Sequence, residues 1–167
     1  MHFMNITRVK TEEIDQVMDL IQAAIEAMEK VGIYQWSSHY PSRDLLLADI
    51  SANTLYAART DQKIAGIMAM NEEQQPGYKK LVWADTGGRP LVIHRLGIHP
   101  AFQKQGLAKQ LVRFAEQYAR ENGYTSIRLD TFSGNFQAVG LYNALKYKHV
   151  GNINFGRGDF WVYEMVV

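Results

Sequence analysis

The chain has 167 residues, of which 47% are hydrophobic and 21% charged, and its formal net charge is +1. This composition is typical of a globular domain with its own core, and a charge so close to zero gives no general attraction to nucleic acid or to a membrane. The absence of cysteine excludes disulfides, thiolate metal sites and a cysteine acyl-enzyme. No apolar run approaches the roughly 20 residues of a membrane span. Residues 1–10 lack the apolar stretch of a signal peptide, so we expect a cytoplasmic protein.

The spacing of apolar residues predicts strands and helices over the whole chain. Thr11 and Ser42 are expected to cap the first two helices, and Ser133 or Asn135 the last. Residues 72–90 are mostly polar and rich in glycine and proline, which indicates a long connection. The predicted elements are a strand at 5–10, a helix between Thr11 and Gly32, a helix from Ser42 to about Ile50, strands at 54–59, 63–71 and 91–98, a helix from about 104 to 122, a strand at 126–131, a helix as far as about Lys146, and strands at 148–154 and 159–166.

This order, βααβββαβαββ, predicts an α/β (α+β) fold. The strand, helix and strand between residues 91 and 131 imply a parallel pair joined by a right-handed crossover. The whole pattern favours a central, mixed and twisted sheet of about six to seven strands, with about four helices on its two faces. With no internal repeat or low-complexity tract, we expect a single domain over 1–167.

One stretch combines a strand, a short loop and a helix. Pro100 stops the apolar strand 91–98 because proline cannot donate to a sheet ladder, and Gln103–Ala108 then opens an amphipathic helix. The first turn of a helix offers backbone N–H groups without an internal partner, at the positive end of the helix dipole. Gly106 has no Cβ, so a phosphate can approach the backbone there. The spacing is neither that of a P-loop nor that of a Rossmann site.

Two motifs resemble a known family. Gln103-Lys-Gln-Gly-Leu-Ala108 resembles the acetyl-CoA signature Gln/Arg-x-x-Gly-x-Gly/Ala of the GNAT superfamily of N-acetyltransferases. Asn135-Phe-Gln-Ala-Val-Gly-Leu-Tyr142 looks like the family's Asn-x-x-Ala-x-x-x-Tyr helix. The resemblance implies the GNAT fold and transfer of an acetyl group from acetyl-CoA to a primary amine of a small molecule, peptide or protein, by direct attack in a ternary complex. A non-catalytic acyl-CoA-binding or interaction module on the same fold is the alternative.

The resemblance also implies a set of cofactor-binding residues. The strand from Leu96 to Ile98 would offer backbone groups to the pantetheine arm, and the amides of Gln103–Lys109 would hold the pyrophosphate. Asn135 would contact the cofactor arm. The residues expected to bind acetyl-CoA are therefore Leu96, Gly97, Ile98, Gln103, Lys104, Gln105, Gly106, Leu107, Ala108, Lys109 and Asn135.

Tyr142 is the expected general acid, because the resemblance puts it near the cofactor sulfur and a phenol can give a proton and take it back. The alternative is a core tyrosine. His94 matches a histidine in a similar strand position of arylalkylamine acetyltransferases, and the unperturbed histidine pKa of about 6.5 suits a base. Otherwise His94 faces the other side of the strand or is hydrogen-bonded in the core. Glu72 or Glu73 acting through water, or an amine that arrives neutral, are further alternatives for the proton removal.

Three residues are candidates for the acceptor site. Trp36 and Tyr40 lie in the aromatic segment between the first two helices and could line a pocket for an apolar or cationic amine, as could Glu72. The alternative is that the two aromatic side chains close the core. No metal is expected, because the histidines show no metal-ligand spacing. Neither nucleic acid nor a membrane is an expected partner, and in this superfamily the two C-terminal strands could pair across a homodimer.

Overall fold

The computed structural model describes residues 5–167. Met1–Met4, which include His2 and the start of the stretch considered for a signal peptide, lie outside the described residues. Residues 5–167 form seven strands and four α-helices, and the predicted order βααβββαβαββ is confirmed. The elements are β1 (Asn5–Arg8), α1 (Ile14–Lys30), α2 (Arg43–Ser51), β2 (Leu55–Thr60), β3 (Lys63–Asn71), β4 (Pro90–Ile98), α3 (Leu107–Glu121), β5 (Ser126–Phe132), α4 (Phe136–Ala144), β6 (Lys148–Asn154) and β7 (Asp159–Val166).

The seven strands form one mixed sheet in the order β1-β2-β3-β4-β5-β7-β6. Strands β4 and β5 are parallel, with Leu91 opposite Ile127, as the predicted crossover requires. Strand β7 pairs antiparallel with both β5 and β6. Because β7 is the last strand in sequence and yet lies inside the sheet, the chain returns between two earlier strands, an order that local patterns do not reveal.

Two predicted helix starts are wrong, and each has a local cause. Thr11 is not an N-cap but the first residue of a 3-10 turn, Thr11–Glu13, in which the Glu13 carboxylate accepts from the backbone N–H of Lys10 at 2.9 Å. Helix α3 begins at Leu107 rather than near 104, because two residues before it have positive φ values that no helix contains. The expected cap of α2 is confirmed, since the Ser42 hydroxyl accepts from the backbone N–H of Leu45 at 3.2 Å.

The chain divides into two compact units. The first contains the described residues up to Met70 together with Arg95–Phe114, and the second contains Asn71–His94 and Ala115–Val167. The expectation of a single domain stays a prediction. In the first unit the apolar face of α1 packs in one cluster with residues of α2, β2 and β3. That cluster includes Val17, Ile21, Leu46, Leu55, Ile67 and also Trp36.

In the second unit, the predicted connection 72–90 is ordered by contacts with β5 and β7. It contains a 3-10 helix, Pro76–Lys80, and Tyr78 in that helix is buried. The buried carboxylate of Glu164 on β7 accepts from the backbone N–H groups of Ala84 at 2.8 Å and Asp85 at 3.0 Å. The guanidinium carbon of Arg128 lies 3.9 Å from the ring centre of Trp83. These contacts fix the connection against the sheet, so that Tyr78 has a defined position. Within residues 5–167, no helix combines the length and apolar character needed to cross a membrane.

Candidate active site

The loop before α3 has the geometry of an anion-binding turn. Lys104 has a φ of +62° and Gly106 a φ of +79°, and Leu107 then begins the helix. The backbone N–H of Gln110 donates to the Gly106 carbonyl at 3.1 Å. The N–H groups of the preceding turn therefore have no acceptor within the helix and are available to a ligand. A Cβ on Gly106 would meet no atom within 4 Å, so the space above it is open. Glycine is required there for its backbone conformation as well as for access.

Strand β4 ends beside Trp36. A Cβ on Gly97 would lie 2.4 Å from Cη2 of Trp36, a contact that no real side chain tolerates. Trp36 is 6% exposed and belongs to the core cluster of the first unit. This location agrees with the core alternative for Trp36, and its part in acceptor binding stays a prediction. Its ring supports the strand segment that was expected to align the pantetheine arm.

A buried ion pair precedes that segment. Arg95 has a φ of +53°, unusual for a residue with a side chain, and its guanidinium forms two hydrogen bonds of 2.8 Å to the carboxylate of Asp49 on α2. The two side chains are 7% and 8% exposed. Arg95 also donates to the Tyr40 hydroxyl at 3.4 Å, which places Tyr40, a predicted acceptor residue, at the edge of this pair. Neither charged residue was predicted from the sequence as part of the site. The available signal was a charge within an otherwise apolar strand and another within the apolar part of a helix.

His94 is held by Asn71. Its Nε2 lies 2.8 Å from Asn71 Oδ1, and that same oxygen accepts from the backbone N–H of Glu73 at 2.9 Å. A backbone N–H can only donate, so the Asn71 atom is the carbonyl oxygen and His94 must donate to it through Nε2–H. The predicted role of His94 as a base is therefore restricted to its Nδ1 atom.

Glu72 is engaged in an ion pair at the surface. Its Oε1 accepts from Arg89 Nη2 at 2.6 Å and from the Tyr124 hydroxyl at 3.0 Å. The hydrogen bond from Arg89, followed by that from Tyr124, lowers the pKa of Glu72 below its ordinary value. A carboxylate held ionised in this way is a weak base. The acceptor or base role of Glu72 stays a prediction.

Helix α4 carries the two remaining predicted residues. The Asn135 side-chain oxygen accepts from the backbone N–H of Ala138 at 3.2 Å, so Asn135, rather than Ser133, caps the helix. Tyr142 is buried, and its ring centre lies 5.4 Å from that of Tyr163. Burial, and then the negative charge of Asp130, raise the pKa of Tyr142 well above its ordinary value. The phenol is therefore protonated at neutral pH, which is the form that can donate a proton.

The structure adds a carboxylate that the sequence analysis did not identify. Asp130 on β5 accepts from the Tyr78 hydroxyl at 2.6 Å. Burial raises the pKa of Asp130, although the hydrogen bond from Tyr78 and the positive charge of Arg157 act in the opposite direction. The two hydrogen-bonded residues are 52 positions apart in sequence. Asp130 was missed because only the fold of the connection 72–90 brings Tyr78 to it.

The predicted site residues are thus distributed over both units. The first unit holds the anion-binding turn, Leu96–Ile98, Trp36 and Tyr40, and the second holds His94, Glu72, Asn135 and Tyr142. Among residues 5–167, no group of three or more histidine and acidic side chains is arranged to hold a metal ion.

The chain resembles known acetyltransferases in sequence and in structure. The sequence model of the Acetyltransferase (GNAT) family matches residues 18–147. N-acetyltransferase family 8 member 2 of Rattus norvegicus is 30% identical over 112 residues, which are 64% of this chain and 46% of the rat protein. The chain thus spans less than half the length of that relative.

Two solved structures show the same fold. A GNAT-family acetyltransferase from Streptococcus agalactiae superposes with a TM-score of 0.84, is 25% identical and is matched over 98% of this chain and 95% of its own. The yncA protein of Salmonella typhimurium, a putative acetyltransferase solved with its cofactor acetyl-CoA, gives a TM-score of 0.71 at 16% identity, over 99% of this chain and 94% of its own. The second likeness concerns the fold alone.

Proposed function

Because the chain belongs to the Acetyltransferase (GNAT) family, we propose that it transfers an acetyl group from acetyl-CoA to a primary amine of a small molecule, peptide or protein. The observation that carries the proposal is the turn before α3, where positive φ values at Lys104 and Gly106 lead into a helix N-terminus below open space. Such a turn suits the pyrophosphate of a CoA ester. The bound acetyl-CoA of the Salmonella protein supports the choice of cosubstrate.

Backbone groups do most of the proposed cofactor binding. The N–H groups of Gln103–Lys109 would hold the pyrophosphate, and the strand Leu96–Ile98 would align the pantetheine arm. Asn135 would contact that arm from the start of α4 while its oxygen caps the helix. Acetyl-CoA would supply an activated acetyl group, so the protein itself needs no covalent nucleophile.

Proton transfers are the chemistry left to the side chains. Tyr142 would donate its proton to the departing sulfur, for which its protonated state at neutral pH is suited. The proton of the amine must also be removed before attack. His94 can do so only through Nδ1, and the surface ion pair of Glu72 disfavours that residue.

Release of free CoA in the presence of a panel of primary amines tests the proposal. We expect turnover with at least one amine, and a loss of about 10²-fold or more in kcat for Tyr142→Phe with acetyl-CoA binding retained. Calorimetry provides the binding measurement. Tight binding of acetyl-CoA without turnover on any amine would instead indicate a non-catalytic acyl-CoA-binding module. Unchanged turnover in Tyr142→Phe would remove Tyr142 as general acid.

A further inference from the structure

The part-buried carboxylate of Asp130 has a different partner from the buried carboxylates of Asp49 and Glu164. Asp49 is paired with Arg95, and Glu164 accepts from two backbone N–H groups. Asp130 has one hydrogen bond, from the neutral phenol of Tyr78, and within residues 5–167 no lysine, arginine or histidine nitrogen lies within 4.0 Å of it. A carboxylate that loses part of its solvent without a cation in contact costs folding free energy, and such groups concentrate where a protein binds or transforms a ligand.

Two aromatic residues are placed next to this carboxylate: Tyr78, which donates to it, and Phe132, the next residue on the same face of β5. Arg128, Asp130 and Phe132 alternate along β5 and share one face of the strand. The ring centre of Tyr78 lies 5.3 Å from that of Trp83, and that of Phe132 lies 5.8 Å from that of Phe160. One negative charge among aromatic rings is the environment that recognises an ammonium group attached to an apolar body.

Charged and titratable groups approach Asp130 from several elements of the fold. Tyr78 faces it from the 3-10 helix of the connection, and Tyr142 interacts with it from α4. The positive charge of Arg157, in the turn between β6 and β7, lowers the pKa of Asp130. Arg128, on the same strand, is stacked on Trp83 and donates to the Asp85 carbonyl at 2.6 Å.

We propose that Asp130 binds the ammonium group of the acceptor and removes its proton, with Tyr78 as the residue that positions it. The inference rests on the proposed acetyl transfer. It names the acceptor class as a primary monoamine with an apolar or aromatic substituent, because there is one carboxylate and its surroundings are aromatic. This assigns to Asp130 the base role for which the sequence suggested His94.

The proposed step balances in protons and electrons. One proton passes from the ammonium nitrogen to the Asp130 carboxylate, and the freed electron pair of nitrogen forms the new nitrogen–carbon bond. The carbon–sulfur bond breaks, its electron pair goes to sulfur, and Tyr142 gives sulfur a proton. The nitrogen then loses its second proton, which restores the Tyr142 phenol, and Asp130 releases the first proton to solvent, so that no oxidant or further reactant is needed.

Asp130→Asn in the full chain tests the proposal, since it keeps the shape and removes the charge. With alkyl and aralkyl monoamines near pH 7, we expect kcat/KM to fall about 10²- to 10⁴-fold, with acetyl-CoA affinity unchanged by calorimetry. The deficit should shrink at alkaline pH, where more of the amine is already neutral. His94→Gln, measured in parallel, shows which of the two residues carries the deficit.

The outcomes separate this inference from the proposed function. If the wild type releases CoA but Asp130→Asn stays within about threefold of it, Asp130 is not the base and the inference fails alone. A large loss in His94→Gln with little loss in Asp130→Asn overturns it in favour of His94. A strong preference for polyamines or neutral acceptors overturns the acceptor class. A wild type that neither binds acetyl-CoA nor releases CoA overturns both proposals.

Discussion

Asp49 is a buried carboxylate and Asp130 a part-buried one, and the two have different partners. Asp49, on α2 of the first unit, forms two hydrogen bonds of 2.8 Å with the guanidinium of Arg95. Asp130, on β5 of the second unit, forms one of 2.6 Å with the phenol of Tyr78. The first carboxylate is paired with a cation, whereas the contact of the second is with a neutral phenol and Arg157 acts on it through its charge. On the proposal made for Asp130, the same type of side chain serves structure in one unit and chemistry in the other.

The comparison predicts that the two Asp→Asn changes affect different properties. Asp49→Asn leaves Arg95 buried without its counter-charge, and removal of one partner of a buried ion pair typically costs about 3–5 kcal/mol. We expect the free energy of unfolding, measured with urea, to fall by that order. The pair also holds a β4 residue with positive φ, so acetyl-CoA affinity should fall with it.

The Arg95→Lys variant is a second test of the ion pair with Asp49. A lysine keeps the charge but cannot make the two parallel hydrogen bonds of a guanidinium, so it should recover only part of the stability. If Asp49→Asn unfolds at the same urea concentration as the wild type, the ion pair does not stabilise the fold. Asp49 and Asp130 would then not differ in their contribution to stability.

Asp130→Asn should behave in the opposite way towards stability. The pKa of Asp130 is raised by burial, so the wild type gains stability from this group in acid, below the pKa of the unfolded chain. That gain is lost as pH rises through the raised folded-state pKa. Asparagine does not titrate, so its contribution to the free energy of unfolding does not change with pH. The variant should therefore be at least as stable as the wild type at neutral pH, and this difference in stability should disappear in acid. Urea denaturation at several pH values measures the difference. A variant that is less stable than the wild type at pH 7 would show that the charge is structural.

Two glycines with the same backbone conformation also allow backbone strain to be separated from ligand binding. Gly106 and Gly123 have φ values of +79° and +78°, and a Cβ on either would meet no atom within 4 Å. Alanine at either position should therefore cost a similar backbone strain, about 1 kcal/mol. Only Gly106→Ala should also weaken acetyl-CoA binding, by about tenfold or 1.4 kcal/mol, because its methyl group would occupy the space above the anion-binding turn. Calorimetry on both variants checks this. Equal affinities would place the pyrophosphate elsewhere.

Much of the fold could be predicted from the sequence, because its signals are local. Apolar periodicity predicts all eleven helices and strands found in residues 5–167, and the strand–helix–strand pattern predicts the parallel pairing of β4 with β5. The start of α3 was missed by a few residues because a non-glycine residue, Lys104, has a positive φ that its identity does not indicate. Ser42 was correctly predicted as a cap because capping depends on neighbouring residues alone.

The site could be predicted only in part. The anion-binding turn is contiguous, so its residue types and spacing identify it. The pairs Asp49–Arg95 and Tyr78–Asp130 are separated by 46 and 52 residues, and their contacts depend on how distant segments meet. An aspartate in a strand looks the same in sequence whether its partner is an arginine, a tyrosine or a ligand. That distinction is what separates the two carboxylates, and it became visible only in the structure.

The smallest expected effect concerns the hydroxyl of Tyr78. Its hydrogen bond lowers the pKa of Asp130, so Tyr78→Phe should raise that pKa further. Since a hydrogen bond to a charged group is worth about 1.5–3 kcal/mol, the acid limb of the kcat/KM profile should move to higher pH by about one unit. The rate on the pH plateau should change much less. A loss of positioning alone would lower the plateau and leave the limb in place.

Tyr124→Phe is the matched control for that shift. The Tyr124 hydroxyl donates to the carboxylate of Glu72 at 3.0 Å and lowers its pKa, as that of Tyr78 does for Asp130. Both variants remove one phenolic hydrogen bond from one carboxylate. If Asp130 is the base, only Tyr78→Phe moves the acid limb. If the acid limb moves only in Tyr124→Phe, Glu72 is the base. The contact of Asp130 with a phenol instead of a cation would then need another explanation.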